Sequence, residues 1–134
     1  AARLAGEEMP EESPRLVAIR DRLIAGITGI EEAFLTGHPA ERLPHHASFR
    51  FSRIEGESIQ LAMNALGIAV ATGSACTSRT LEASHVLLAI GLAHDEAHGS
   101  MVATLGRRNS LDEVPRVVNA ARETVKRLRA ITPL

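Results

Sequence analysis

The chain has 134 residues, 15 basic and 16 acidic side chains and a formal charge of −1, so it can form one domain with a real core but not two ordinary ones. The charge balance excludes any global pull toward nucleic acid or anionic lipid. With no Trp, no Tyr and Phe only at positions 34, 49 and 51, an aromatic platform for stacking bases is also absent.

Residues 13–27 carry Leu16, Ile19, Leu23, Ile24 and Ile27 at helical spacing, with Ser13 as a cap and Pro14 in the first turn. Residues 1–12 either join that helix or fray. Gly26, Gly29, Gly37 and Pro39 then break the pattern into a connection. From Ala47 the period changes to two, Ala47, Phe49 and Phe51 facing one way and Ser48, Arg50 and Ser52 the other, which predicts a half-buried strand. Glu55-Gly56-Glu57 turns the chain into a helix bearing Ile59, Met63 and Leu66, closed by Gly67. Residues 68–71 form a short apolar strand candidate ending near Gly73. Ser84 opens a short helix with Val86, Leu87 and Ile90, stopped by Gly91. Residues 101–105 read as another strand. Ser110-Leu111-Asp112-Glu113 resembles a capping box for the last helix, whose start falls near Asp112 because Pro115 fits only a first turn. Val114, Val117, Val118, Ala121, Val125 and Leu128 supply its buried face. Helices and strands mixed at these lengths predict an α+β layer.

No apolar run is long enough to cross a bilayer and the N-terminus lacks a signal-peptide order, so the expectation is a soluble, cytoplasmic protein. A single cysteine forms neither an internal disulfide nor a cysteine zinc cluster, which fits a reducing compartment. That cysteine, Cys76, sits among small and hydroxylated residues, Ala71-Thr72-Gly73-Ser74-Ala75-Cys76-Thr77-Ser78-Arg79-Thr80, and not in an apolar stripe. A thiol kept for chemistry needs access and donors that favour the thiolate, and Ser74, Thr77, Ser78 and Arg79 are of that type. A buried packing thiol and ordinary loop polarity are the competing readings. Adjacent His45 and His46 point to opposite faces of a strand and do not share a metal. His94 and His98 share a helical face, but Gly99 ends such a helix at once, so no metal site is expected. His85 reads either as orienting the cysteine run or as a solvated helix-start residue.

Five segments in order carry a resemblance: Arg42-Leu43-Pro44; Ile54-Glu55-Gly56-Glu57; Gly73-Ser74-Ala75-Cys76-Thr77-Ser78; Leu81-Glu82-Ala83-Ser84-His85-Val86-Leu87; and Ala97-His98-Gly99-Ser100 with Leu105-Gly106-Arg107. Together they resemble the C-terminal small domain of the NifS/IscS-type, class I cysteine desulfurases of the aminotransferase class V family. The resemblance covers nearly all of this chain but only the last third of such an enzyme. It implies the small domain of a fold-type I enzyme dependent on pyridoxal 5′-phosphate, with a short, mainly antiparallel sheet packed by helices. Residues 1–28 would be an N-terminal connecting helix and 29–134 the α+β domain carrying the cysteine loop, the large cofactor-binding domain lying outside this chain. The implied reaction converts L-cysteine to L-alanine, with sulfur taken as a persulfide on Cys76 and passed to an acceptor protein such as an iron-sulfur scaffold. The implied assembly is a homodimer. The extended stretch over 77–84 resembles the long loop of the NifS/IscS class.

Two departures stand out. Val102 occupies the place where the family carries an arginine for the substrate carboxylate, and valine offers neither of its two charge-assisted hydrogen bonds. Ser48 stands where many relatives have asparagine, and Arg107 and Arg108 lie past the strand and read mainly as surface charges. The family's cofactor lysine motif, Ser-x-His-Lys, is absent, and the one lysine, Lys126, reads as a surface helix residue, so no covalent cofactor is expected on this chain by itself. Two readings remain: part of a cysteine desulfurase, or a degenerate, non-enzymatic sulfur-relay or docking module.

Overall fold

The computed structural model describes residues 1–73 and 83–131. Its first element, α1 (Ala2–Thr28), starts well before the predicted cap and runs through both Pro10 and Pro14, so Ser13 lies inside the helix. Each proline removes one backbone donor, but they are four residues apart and the donor missing at Pro14 is the one that would have met the Pro10 carbonyl. Strong helix formers flank them, and Arg3 reaches Glu7 one turn on at 2.7 Å. The C-terminal half of α1 buries Ile19, Arg20, Leu23 and Ile27.

Three antiparallel strands follow in the spatial order β1 (Ala33–Leu35), β2 (His46–Phe51), β3 (Ser100–Thr104). β1 falls where glycines predicted only a connection. Three residues are too few to show a period, and they become a strand by pairing Ala33, Phe34 and Leu35 with Phe51, Arg50 and Phe49. The alternation expected for β2 holds: Ala47, Phe49 and Phe51 are buried on one face, opposite Ala103 and Met101 of β3. Residues 68–71 do not form the predicted strand. Ala71 makes an isolated bridge to Val102, and without a further ladder the segment stays irregular.

Between them, α2 (Gly56–Ala65) buries Ile59 and Met63, while Leu66 sits exposed at its end and Ile68 takes the core position instead. Two short helices, α3 (His85–Ala89) and α4 (His94–His98), pack together through Ala83, Leu87 and Ala97. Of the apolar residues expected on α3, Val86 and Ile90 are about half exposed, because a single-turn helix covers only Leu87. Ser84 precedes α3 without a side-chain cap bond. The expected box before the last helix forms: the Ser110 amide donates to Glu113 Oε2 at 3.0 Å, and this bond holds the Glu113 carboxyl below its ordinary range. It closes a 3₁₀ turn (Leu111–Glu113), so α5 (Val114–Ile131) begins two residues later than Asp112, with Pro115 in its first turn.

One core joins these elements. Ile19, Leu23 and Ile27 of α1, Ile59 and Met63 of α2, and Val118, Ala121 and Val125 of α5 cover the apolar face of the sheet. Among the described residues no helix is long and apolar enough to cross a membrane.

Candidate active site: the anchors of the cysteine segment

Cys76, Ser74, Thr77, Ser78 and Arg79 lie outside the described residues, but the stems on either side of them are well defined. On the entering side the Ala71 amide donates to the Val102 carbonyl at 2.9 Å and the Val102 amide to the Ala71 carbonyl at 2.7 Å. Two residues on, the Gly73 amide donates to Ser100 Oγ at 3.0 Å. On the returning side Ala83 and Ser84 are buried beside Leu87. The stems meet: a Cβ built on Gly73 would stand 3.0 Å from Ser100 Oγ, 3.3 Å from Leu87 Cδ1 and 3.5 Å from Ser84 Cβ. The nine-residue span 74–82 therefore leaves and returns at one place, beside Ser100 at the start of β3.

That place belongs to the second face of the sheet, the one turned away from the main core. Because the side-chain period of a strand is two, this face carries Phe34 from β1, Ser48 and Arg50 from β2, and Ser100 and Val102 from β3. It is not an ordinary solvated face. Ser48 and Ser100 are buried, and Thr36, also buried, shares a hydroxyl–hydroxyl bond of 2.6 Å with Ser48. Arg50 lies with its guanidinium 4.0 Å from the Phe34 ring centroid and 3.0 Å from the Glu96 carboxylate of α4.

The register brings together two positions that are 54 residues apart in sequence: Ser48 and Val102 are direct cross-strand partners. Two of the departures noted in the sequence, Ser48 and Val102, thus occupy one spot, where hydroxyl and isopropyl groups stand side by side. Arg107 and Arg108 are exposed beyond the end of β3, Arg107 paired with Glu8 of α1, and neither is brought to that spot. Arg50 was legible as a polar-face strand residue, yet its role in this face depends on its pairing with Ser100, which no local pattern reveals.

The histidines are dispersed. His46 opens β2 opposite Thr104, and burial first, then the Arg42 and His45 charges, push its imidazole below the ordinary histidine range. His94 and His98 lie on α4, which Gly99 follows directly, and His85 is exposed at the start of α3. Among the described residues no group of three His, Cys, Asp or Glu side chains could hold a metal ion.

Two glycines of the sequence motifs make this architecture possible. A Cβ on Gly56 would come within 2.2 Å of the Ser100 carbonyl oxygen, and one on Gly99 within 2.1 Å of the Phe51 carbonyl oxygen. The backbones of α2, β2 and the α4–β3 junction approach too closely for any side chain at either position.

An α+β layer with a short antiparallel sheet defines the class, and the chain belongs to the aminotransferase class-V family, whose model matches residues 8–117. Along all 134 residues it is 48% identical to "Cysteine desulfurase IscS 1" of Archaeoglobus fulgidus and 46% identical to "Cysteine desulfurase IscS" of Methanosarcina thermophila, covering 35% and 33% of those proteins. Among solved structures it superposes on a "NIFS-LIKE PROTEIN" with a TM-score of 0.79 at 26% identity, over 93% of this chain and 31% of that one. The NifS-like protein of Rickettsia africae gives a TM-score of 0.78 at 16% identity, a likeness of fold. The chain thus spans about a third of the length of the curated relatives it matches.

The family implies pyridoxal 5′-phosphate, and the residues present do not fit it. A cofactor aldehyde needs a lysine amine in a desolvated pocket. Lys126 is instead exposed on α5, in a shallow depression shared with Gly29, Glu31, Arg122 and Arg129.

Proposed function

We propose that this chain is the cysteine-bearing portion of a cysteine desulfurase, acting on L-cysteine together with a cofactor-binding portion that supplies the lysine. The observation that carries this reading is the end-to-end similarity to cysteine desulfurases, at 48% identity, over a stretch that includes Gly73-Ser74-Ala75-Cys76-Thr77-Ser78. Bound by that other portion, the cofactor would supply the electron sink for cleaving the substrate. This chain supplies the sulfur acceptor: the Cys76 thiolate attacks the substrate sulfur, a sulfur–sulfur bond forms, and the carbon–sulfur bond breaks. The electron pair stays on carbon, which takes up a proton to become alanine. The persulfide then passes to an acceptor protein, with an iron-sulfur scaffold as the proposed acceptor and a homodimer as the proposed assembly.

The stem geometry supports a segment that works as a tethered unit. Gly73 and Ser84, which flank the segment, both sit beside Ser100.

In the full-length protein loaded with pyridoxal 5′-phosphate, L-cysteine and a reductant are expected to yield sulfide and alanine in equal amounts. Cys76→Ser is expected to abolish sulfide release without altering the cofactor's absorbance. Sulfide release that survives this substitution would remove Cys76 from the mechanism. Val102 favours a second reading, a non-enzymatic relay or docking module, and a wild-type protein that takes up persulfide sulfur from a donor yet releases no sulfide from cysteine would establish it.

A further inference from the structure

We propose that Arg50 is the anchor for the substrate's α-carboxylate, an inference that rests on the desulfurase reading and assigns the residue that orients the amino acid. Such a substrate arrives with a carboxylate that must be matched by a cation close to the cysteine segment. Ser100 ties that segment to the sheet through the Gly73 amide, and Arg50 is the direct cross-strand partner of Ser100 on the same face. The two α-carbons are therefore about 5 Å apart.

Arg79 lies outside the described residues, and among the described ones Arg42, Arg20 and Arg53 are committed elsewhere. Arg42 donates to the Thr36 and His38 carbonyls, Arg20 is buried against the Leu43 carbonyl and Asp21, and Arg53 is paired with Glu32. Arg50 differs in its place, directly across the sheet from Ser100. Its guanidinium already holds a carboxylate, Glu96, through Nη2, while Nε and Nη1 have no partner among the described residues. Its side chain is 21% exposed, at the margin of a cleft of about 910 Å³ whose lining also includes Arg53, the carboxylates of Glu55 and Asp95, Ser58 and His98. The Phe34 ring supports the cation from β1 and fixes its plane. Val102, the diagonal neighbour on the same face, offers no donor, but an arginine there would come within reach of the same anion, because diagonal pairs are about 7 to 8 Å apart.

The test uses the full-length, cofactor-loaded protein. Arg50→Met is expected to raise KM for L-cysteine about thirtyfold or more, and to weaken calorimetric binding of L-alanine by a similar factor. Binding of cysteamine, which lacks the carboxylate, should be unchanged. Glu96→Gln, which frees the guanidinium, should leave KM unchanged or lower it, whereas a purely structural Arg50–Glu96 pair would make this variant behave like Arg50→Met. Adding Val102→Arg to Arg50→Met should restore most of the lost affinity, and this rescue also shows that the parent variant is folded. Unchanged KM in Arg50→Met, or cysteamine and L-alanine binding weakened alike, would overturn the assignment. A wild-type protein that releases no sulfide would instead sink the desulfurase reading beneath it, and the anchor with it.

Discussion

Gly99 illustrates how much one side chain decides here. The Phe51 amide donates to its carbonyl at 2.9 Å, while the Phe51 carbonyl oxygen stands 2.1 Å and the Ile54 carbonyl oxygen 2.9 Å from where a Cβ would be. These are backbone atoms and cannot rotate away. Gly99→Ala is therefore expected to cost about 1 to 3 kcal/mol of stability, seen as a lower urea midpoint with an unchanged slope. His46 makes a different prediction. Its imidazole is held below the ordinary value by burial and by neighbouring cations, so the unfolded chain binds the proton more readily than the folded one. Its contribution to stability is therefore complete above about pH 6.5 and is lost as the pH falls through the depressed folded value. Urea midpoints at pH 7.5 and 5.5 should differ less in His46→Gln than in the wild type.

Among the elements, α1 is the least uniform. Its first turns carry exposed Leu4 and Met9, whereas Leu23, 3% exposed, packs into the core from the C-terminal half. Leu23→Ala should lose about 2 to 5 kcal/mol, while Leu4→Ala should stay within about 0.5 kcal/mol, measured by urea unfolding. Equal losses at both sites would mean that the two halves are anchored alike. Helical periodicity identified residues 13–27 and left open whether residues 1–12 joined them, because prolines are read as boundaries when no long-range contact is known. The sheet shows the same limit. β2 was legible because six residues display three full alternations, while β1 at three residues was not. The apolar run 68–71 resembled a strand and lacked a sufficient partner.

At the scale of the whole molecule, a single cluster joins α1, the sheet, α2 and α5, with a smaller one under α3 and α4. Circular dichroism and a probe of the core should therefore report one coincident urea transition. Two separated transitions would mean that α1 unfolds independently of the rest. The sequence by itself determined the C-terminal part of α1, α2, α3, α5 and the longer strands, the cysteine-bearing motif and the membership that follows from five ordered segments, since these depend on residue type and on spacings of a few positions; α4 was not legible in it. Only the tertiary structure decided that Ser48 faces Val102, that Arg50 faces Ser100 and that Gly73 meets Ser84. Such pairings join residues tens of positions apart, and their register is set by which face of each strand the core removes from water.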